Sequence, residues 1–510
     1  MEDVFGRRDS EVSPNFIRAM VLGFFFSGLL LMVNHEMWCD EMQAWLIAKD
    51  SHSMVELFRN LRYEGHPGLW HLGLYLLSRL SSQPLVMQMF HLLLATGTVY
   101  IFTKFSPFTR LHKVLFIFGY FPFFEYAVIS RNYSMGILLI FSFCAMFQAP
   151  LTRRYILLSG ILFLLCQTSV YGLIIAFMLG LMLMFDISLR YDLQHNLLRF
   201  RYQLAISLAI FLTGITVAVV QIIPPADSGF ALGWNFAVDM PHMLNVFATV
   251  WRSYVPIPDL KYNFWGTNII TNSYLSSLLS ISLLVFSVLL FVRQPAVLFL
   301  YCLGTLGLLS FTYVKYFGSI RHHGHLYVLL ITCLWLSFYY PDRELKSRFI
   351  SKISDFCEKN RDKFIIAIFS VHLVAGGMAY VSDLLYPFSG SREIAQYIKD
   401  NKMENMLMVG DEDDAASAVS GYLDRKIFYL SNNRFGSFVI LDRSRQPVNP
   451  EEVIKKVREI MKRQETEILL ILNYKLNIPE ITLAPIKKID NSIVPTENYY
   501  IYLLDSKKFK

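Results

Sequence analysis

The chain has 510 residues, of which 54% are hydrophobic and 17% are charged, and its mean hydropathy is +0.40. This balance excludes an ordinary soluble protein of the same length and predicts a polytopic α-helical membrane protein. The net charge of +7 at pH 7 does not indicate a nucleic-acid partner, because Lys and Arg residues in such proteins chiefly set the orientation of the spans.

Apolar stretches long enough to cross about 30 Å of hydrocarbon recur in the first part of the chain. The first carries Arg7, Arg8 and Arg18 at its start, and no small-residue cleavage site follows it, so we expect a retained signal anchor. We predict about eleven transmembrane helices, near residues 16–34, 84–103, 113–128, 133–149, 155–171, 172–189, 203–221, 274–292, 295–314, 325–340 and 364–381.

Basic residues in the short loops, among them Lys104, Arg153, Arg293 and the run 343–363, fall on one side of these predicted spans. By the positive-inside rule that side is cytoplasmic, and the N-terminus lies there as well. Two long loops, at 35–83 and 222–273, then face outward together with the end of the chain. We therefore expect a multi-pass protein of a bacterial inner membrane.

The first outer loop contains a dense set of titratable residues. Asp40 and Glu41 lie near its start, and His35, Glu64 and His66 share the loop. Carboxylates beside a lipid phase are costly, so the pair predicts a functional site. Two alternatives stay open: the pair caps the following helix, where acidic residues are favoured, or His35 and His66 help to bind a divalent metal.

Two cationic clusters are expected on the same side of the membrane. They contain Arg131 and Tyr133, between the third and fourth predicted spans, and Lys315, Arg321, His322 and His323, just before the tenth. Arginine makes bidentate, permanently charged contacts to phosphate, which a phospholipid-like substrate requires. The alternative is that these side chains reach the lipid headgroups without binding a substrate.

The hydropathy pattern of the sequence changes near residue 385, where the long apolar stretches end. We predict one transmembrane domain over 1–384 and a soluble extracytoplasmic α/β domain over 385–510. Predicted strands lie at 427–430, 438–441, 468–472 and 499–504, with helices at 392–400 and 450–463. The acidic run at 411–414 indicates a solvated loop or a helix start rather than a metal site.

The order of these features resembles the GT-C superfamily of integral-membrane glycosyltransferases. The motifs that carry the resemblance are Asp40-Glu41 after the first span, His66-Pro67, Ser130-Arg131-x-Tyr133, Arg321 at a late outer junction, and a terminal extracytoplasmic domain. The chain is similar in particular to the branch of protein O-mannosyltransferases, lipid A aminoarabinose transferases and rhizobial-type core transferases. It departs from the family pattern at Gly68, where a second proline is usual, and at His322, where a tyrosine is usual.

The resemblance implies transfer of a monosaccharide from a polyprenyl-phosphate donor to a hydroxyl of a glycan, lipid or protein acceptor in the cell envelope. It implies no further cofactor, although a divalent metal stays open. The expected roles are a general base for Asp40, orientation of the loop or acceptor for Glu41, donor-phosphate binding for Arg131, Lys315 and Arg321, and contacts in the site for Glu64, His66, Tyr133, His322 and His323.

Two other classes of protein would share some of these features. A transporter or flippase for lipid-linked saccharides would also have many spans, but transporters tend to place polar groups at mid-membrane. An O-antigen-type polymerase or ligase would keep the cationic junctions without needing the Asp40-Glu41 loop. Loss of activity in Asp40→Asn would favour the transferase over both.

Overall fold

The computed structural model describes residues 12–149, 151–190, 193–229, 233–464, 466–478 and 483–505. Arg7 and Arg8, which contribute to the predicted orientation, lie outside the described residues. The first part of the chain is a helical bundle. Its helices are α1 (Pro14–Asn34), α2 (Cys39–Asp50), α3 (Met54–Leu61), α4 (Leu69–Ser78), α5 (Leu85–Phe105), α6 (Arg110–Ile117), α7 (Tyr133–Met146), α8 (Leu151–Cys166), α9 (Val170–Arg190), α10 (Leu193–Ile222), α11 (Met240–Tyr254), α12 (Ser273–Phe291), α13 (Pro295–Val314), α14 (Ile320–Ser337), α15 (Arg348–Lys359) and α16 (Arg361–Leu385).

Seven helices in the described part of the chain are long and apolar enough to cross a membrane: α1, α5, α9, α10, α12, α13 and α16. They coincide with seven of the eleven predicted spans, and the chain is a multi-pass membrane protein. The other four predicted spans are helical but do not meet the same criteria. α7 and α8 have only 14 and 16 residues, the first turns of α14 contain Arg321 and three histidines that lower its hydropathy, and 113–128 divides into α6 and a π-helical segment at Tyr120–Glu125.

Three short helices, α2, α3 and α4, occupy the predicted loop 35–83 and pack on one another. Trp45 and Trp70 are almost completely buried in their shared core. Two large aromatic side chains bury enough apolar surface to hold such short helices, which would be marginal alone. The acidic pair therefore lies on a packed element and not on a loose loop.

The C-terminal unit is an α/β domain. Its elements are α17 (Ser391–Asp400), β1 (Leu407–Gly410), α18 (Asp413–Leu423), β2 (Ile427–Tyr429), β3 (Arg434–Gly436), α19 (Pro450–Gln464), β4 (Ile468–Leu472), β5 (Lys487–Ile489) and β6 (Tyr499–Leu504). The strand order is β3-β2-β1-β4-β6-β5, and β1 is parallel to both β2 and β4. The remaining pairs are antiparallel.

Strand β4 lies in the middle of the sheet and is buried on both faces. Leu469 and Ile471 pack in the core formed with α17 and α18, whereas Ile468, Leu470 and Leu472 pack in the core formed with α19. This alternation is the two-residue period of a strand covered by helices on both sides. The predicted strands near β2, β4 and β6 are present.

The predicted strand at 438–441 is wrong. The backbone there is irregular, and the third strand of this region is β3, a few residues earlier. The physical reason is a long-range contact: the N–H and C=O of Val439 pair with the side-chain amide of Gln43 in α2, so they are not available to a neighbouring strand. α18 begins inside the acidic run, at Asp413.

Candidate active site

Asp40 lies in the first turn of α2, and two arginines converge on its side chain. Nη2 of Arg321 donates to Oδ2 of Asp40 at 2.9 Å, and Nη1 of Arg131 lies 3.6 Å from the same oxygen. Arg131 also donates to the backbone carbonyl of Asp40. The Asp40 side chain is 35% exposed, whereas each arginine side chain is only 12% exposed. The arrangement is an accessible carboxylate backed by two largely buried cations.

Arg321 lies in the first turn of α14, and two tryptophan rings enclose its guanidinium. The carbon of the guanidinium is 5.0 Å from the ring centre of Trp38 and 5.4 Å from that of Trp265. The indole N–H of Trp265 donates to Glu125 at 3.0 Å, and the Tyr126 hydroxyl donates to the Arg321 carbonyl at 2.7 Å. Cation–π contact and these hydrogen bonds hold the arginine in one position while leaving it charged.

Arg131 lies between the π-helical segment and α7. The backbone N–H of Ser130 donates to Glu41 at 2.5 Å, and the side-chain amide of Asn132 donates to the Thr168 carbonyl at 2.7 Å. Burial opposes the charge of Arg131, but the nearby Asp40 carboxylate raises the pKa of Arg131 above its usual value. The guanidinium therefore stays protonated at every physiological pH.

Glu41 points away from Asp40 and is completely buried. Its Oε1 accepts the Ser130 N–H, and its Oε2 accepts the Trp38 N–H and lies 3.1 Å from Nε2 of His35. Nδ1 of His35 lies 2.9 Å from Asp383 in α16. Glu41 thus ties the loop to the rest of the bundle, which fits the expected orienting role and leaves no oxygen exposed to a substrate.

The ring of His35 is bonded to a carboxylate on each side. Burial lowers the pKa of His35, but Asp383 and Glu41 outweigh burial and raise it to about 10. A protonated imidazole has no lone pair for a metal. The described residues also contain no cluster of three or more His, Cys, Asp or Glu side chains arranged to bind a metal ion. Both ring nitrogens of His35 are thus paired with carboxylates, and the metal-binding role of His35 and His66 stays a prediction.

Glu64 and His66 lie beside Asp40 and Arg131. Glu64 accepts a hydrogen bond from the Gln43 side chain at 2.8 Å; burial raises the pKa of Glu64 to about 7, although the bond from Gln43 and the charge of Arg131 oppose this shift. Burial and the charge of Arg131 lower the pKa of His66 to about 4, so its ring is neutral. Nδ1 of His66 is buried, and the described part of the protein offers it no hydrogen-bond partner.

The glycine after His66-Pro67 has a local explanation. The N–H of Gly68 donates to Gln221 of α10 at 2.9 Å, and a Cβ at this position would lie 2.6 Å from a ring carbon of Phe58. A second proline, usual in the resembled family, has no N–H to donate and would collide with Phe58. The departure from the family pattern therefore reflects packing around α10 and does not alter His66 itself.

Lys315 is the residue that follows α13. Its ammonium lies 5.1 Å from the ring centre of Trp234, which is 61% exposed on the loop before α11. Lys315 is thus a neighbour of the arginine pair at the same end of the bundle. Its predicted role in phosphate binding stays a prediction.

The remaining predicted residues separate into two positions. Tyr133 packs edge-on against His322 with ring centres 5.6 Å apart, and Nδ1 of His322 accepts the N–H of Ser319 at 2.9 Å. These two rings therefore pack together where α7 and α14 begin. His323 instead donates from Nε2 to the Phe317 carbonyl at 2.8 Å, so its ring is committed to the α13–α14 loop.

The sequence did not identify Trp38, Trp265 or Glu497 as neighbours of the acid pair. Trp38 adjoins Asp40 in the chain, so the preference of arginine for tryptophan faces could have drawn attention to it. Trp265 lies in the second long loop, and Glu497 lies in the C-terminal domain with its Oε1 accepting the N–H of Cys39 at 3.1 Å. No local pattern marks either of these two residues.

Comparisons with known proteins identify the fold. No protein-family model and no curated protein matches the sequence. The crystal structure of ArnT from Cupriavidus metallidurans in the apo state matches with a TM-score of 0.50 and 11% identity, covering 96% of this chain and 98% of ArnT. The structure of the same protein bound to undecaprenyl phosphate also matches, with a TM-score of 0.50, 11% identity and coverage of 95% and 98%. The chain is therefore a multi-pass membrane protein that shares the fold of the ArnT structures.

Proposed function

We propose that this protein is a glycosyltransferase that moves a single sugar from a polyprenyl-phosphate donor to an acceptor hydroxyl. The observation that carries the proposal is the accessible Asp40 carboxylate held between Arg131 and Arg321. The fold supports it, since a structure of ArnT with the same fold is bound to undecaprenyl phosphate. Transfer chemistry needs both a base and a phosphate site, and these three residues supply both within one cluster.

The reaction assigns one task to each charge. Asp40 takes the proton of the acceptor hydroxyl, whose oxygen forms a bond to the anomeric carbon of the sugar while the bond from that carbon to the phosphate oxygen breaks. The leaving polyprenyl phosphate gains negative charge, which the guanidinium groups of Arg131 and Arg321 stabilise. The sugar passes to the acceptor oxygen, the proton passes to Asp40, and the bonding electrons leave with the phosphate, so the step needs no oxidant.

The ion pair between Asp40 and the arginines describes the protein before the donor binds. The donor phosphodiester offers two unesterified oxygens to the guanidinium groups, and it gains charge as the bond to the sugar breaks, so it competes well for both arginines. When phosphate oxygens replace the carboxylate as the partner of Arg131 and Arg321, the Asp40 carboxylate is free to accept a proton. We assign to the neutral His66, whose buried Nδ1 has no partner among the described residues, a hydrogen bond with a sugar or acceptor hydroxyl.

The orientation is part of the proposal. Helix α13 runs from Pro295 to Val314 and leads directly into Lys315, so Arg293 lies at the opposite end of that span from the site. The exposed basic residues of 343–348 lie beside Arg293, because the N–H of Arg343 donates to the Arg293 carbonyl. The positive-inside rule then puts the site and the C-terminal domain on the extracytoplasmic side of a bacterial inner membrane. The acceptor is a glycan, lipid or protein of the cell envelope.

The test follows the lipid product. Purified protein in proteoliposomes is incubated with polyprenyl-phosphate sugars and envelope extract, and the lipids are analysed by mass spectrometry. A transferase releases polyprenyl monophosphate together with a sugar-modified acceptor. Moving the intact donor across the bilayer would instead indicate a flippase. In a parallel sample supplied with a polyprenyl-pyrophosphate saccharide, transfer from that lipid alone, with release of polyprenyl pyrophosphate, would indicate a polymerase or ligase. Either result contradicts the proposal.

A further inference from the structure

The first turn of α2 lacks the usual cap. The residue before the helix is Trp38, whose side chain accepts no hydrogen bond from the helix. The first N–H groups of any helix need acceptors from elsewhere. Glu41 satisfies the N–H of Trp38 at 3.3 Å, but the next N–H, that of Cys39, donates to Oε1 of Glu497 at 3.1 Å. The helix that carries Asp40 is thus capped by a residue 458 positions away.

Glu497 is built into this position by its own domain. Only 1% of the residue is exposed, and its Oε2 accepts the hydroxyls of Ser389 at 2.8 Å and Tyr499 at 2.9 Å. Burial raises the pKa of Glu497 to about 7, and the hydrogen bonds that its three partners donate oppose this shift and favour the carboxylate. Hydrogen bonds within the C-terminal domain therefore fix the orientation of the Glu497 carboxyl group independently of its contact with α2.

A second contact lies one turn further along α2. The side-chain amide of Gln43 donates to the Val439 carbonyl and accepts the Val439 N–H, both at 2.8 Å. The same amide nitrogen donates to Glu64 at 2.8 Å. Gln43 therefore connects the C-terminal domain, the Asp40 helix and the loop that carries His66.

The surface between α2 and α18 is closely packed. A Cβ on Gly421 of α18 would lie 2.3 Å from Cγ of Met42, which is closer than van der Waals contact, so only glycine fits at this helix–helix contact. Residues just before α2 are held as well, since Arg392 donates to the carbonyls of Asn34 and His35. The C-terminal domain contacts α2 and its lead-in at several successive positions.

We infer that the C-terminal domain positions the catalytic helix α2. Glu497 and the backbone of Val439 hold α2 so that the Asp40 carboxylate faces Arg131 and Arg321. Glu497 is a positioning residue, because it acts through the backbone of Cys39 and does not touch Asp40. The inference rests on the proposed function for its effect on turnover. A displacement of about 1 Å in a reacting group can cost a hundredfold in rate.

The structural test is hydrogen exchange of the full-length protein in detergent, followed in peptides that cover 36–50. In Glu497→Ala, exchange at the first turn of α2 should rise about fivefold or more, as expected for loss of one helix cap. Glu497→Gln keeps an oxygen for the Cys39 N–H and should restore most of the protection. Glu393→Ala is the matched control, because Glu393 is an exposed carboxylate of the same domain paired with Lys487.

The kinetic test separates positioning from binding. Glu497→Ala should lower kcat at least tenfold while changing the donor KM less than threefold, and Glu497→Gln should recover most of kcat. If Glu497→Ala does not fold, Gln43→Leu tests the second contact with the same two readouts. Unchanged exchange and unchanged kcat in the folded variants would overturn the inference. Raised exchange in a protein whose wild type transfers no sugar would instead support the cap and reject the proposed function.

Discussion

Replacing Asp40 with asparagine removes one negative charge from between two arginines and keeps the shape of the side chain. The carboxylate is 35% exposed, so its ion pair with Arg321 is screened by solvent and contributes about 0.2–1 kcal/mol. Folding should therefore be nearly unaffected. Because both guanidinium groups are released from the carboxylate, donor binding should stay the same or tighten by up to about fivefold, which corresponds to the upper end of that range.

The expected loss is in the chemical step. General-base catalysis is worth about a hundred- to ten-thousandfold in rate, so Asp40→Asn should transfer sugar at least about a hundredfold more slowly. Single-turnover transfer measures the chemical step, and titration with the polyprenyl-phosphate sugar under conditions without acceptor measures donor affinity in the same preparation. Glu41→Gln is the comparison, since Glu41 is buried and bonded to the Ser130 backbone and should perturb the loop more than the chemistry.

Two results would refute this reasoning. Wild-type turnover in Asp40→Asn would mean that the carboxylate only supports the first turn of α2, where asparagine serves equally well. A large loss of donor affinity in the same variant would mean that Asp40 helps to hold the donor and does not compete with it for the arginines.

Three further expectations follow from the site. Arg321→Ala should weaken donor binding about ten- to a hundredfold, as expected for loss of a charged hydrogen bond, whereas the exposed Arg153 serves as a control whose change to alanine leaves affinity unaltered; equal affinities would remove Arg321 from the phosphate site. The pKa of His35 is raised to about 10, so its stabilising contribution is complete below pH 6.5 and is lost as the pH rises towards 10. The unfolding temperature in detergent should accordingly fall across that window, and a fall of the same size in His35→Gln would contradict the assignment. In intact spheroplasts, an impermeant maleimide should label a cysteine introduced at the exposed Lys455 and spare one at the exposed Arg343, and the reverse pattern would invert the orientation.

The polar residues of the site were predictable because each lies at the end of a hydrophobic run. Asp40, Arg131 and Arg321 are all charged side chains next to apolar helices, where charge is expensive and therefore informative. Their convergence on one oxygen could not be read from the chain, since it depends on the packing of α2, α7 and α14. The family resemblance supplied that expectation, and the structure supplies the distances.

Hydropathy was less reliable for elements buried by protein. Residues 113–128 have the composition of a span, but α6 ends at Ile117 and a π-helical segment follows. Gly119 stands at the break, where a Cβ would lie 3.0 Å from Cβ of His372 in α16. Apolar composition describes burial in lipid and burial in protein equally well, so only tertiary packing distinguishes them.

The bridge from Glu41 through His35 to Asp383 has a consequence for biosynthesis. It joins the end of the first long helix to the end of the last one, 348 positions later, and Glu497 reaches back over an even longer separation. Contacts this distant in sequence cannot form while the intervening chain is still being synthesised and inserted. The segment that carries Asp40 is among the first to leave the ribosome, yet it acquires its final geometry only after α16 and Glu497 have been made.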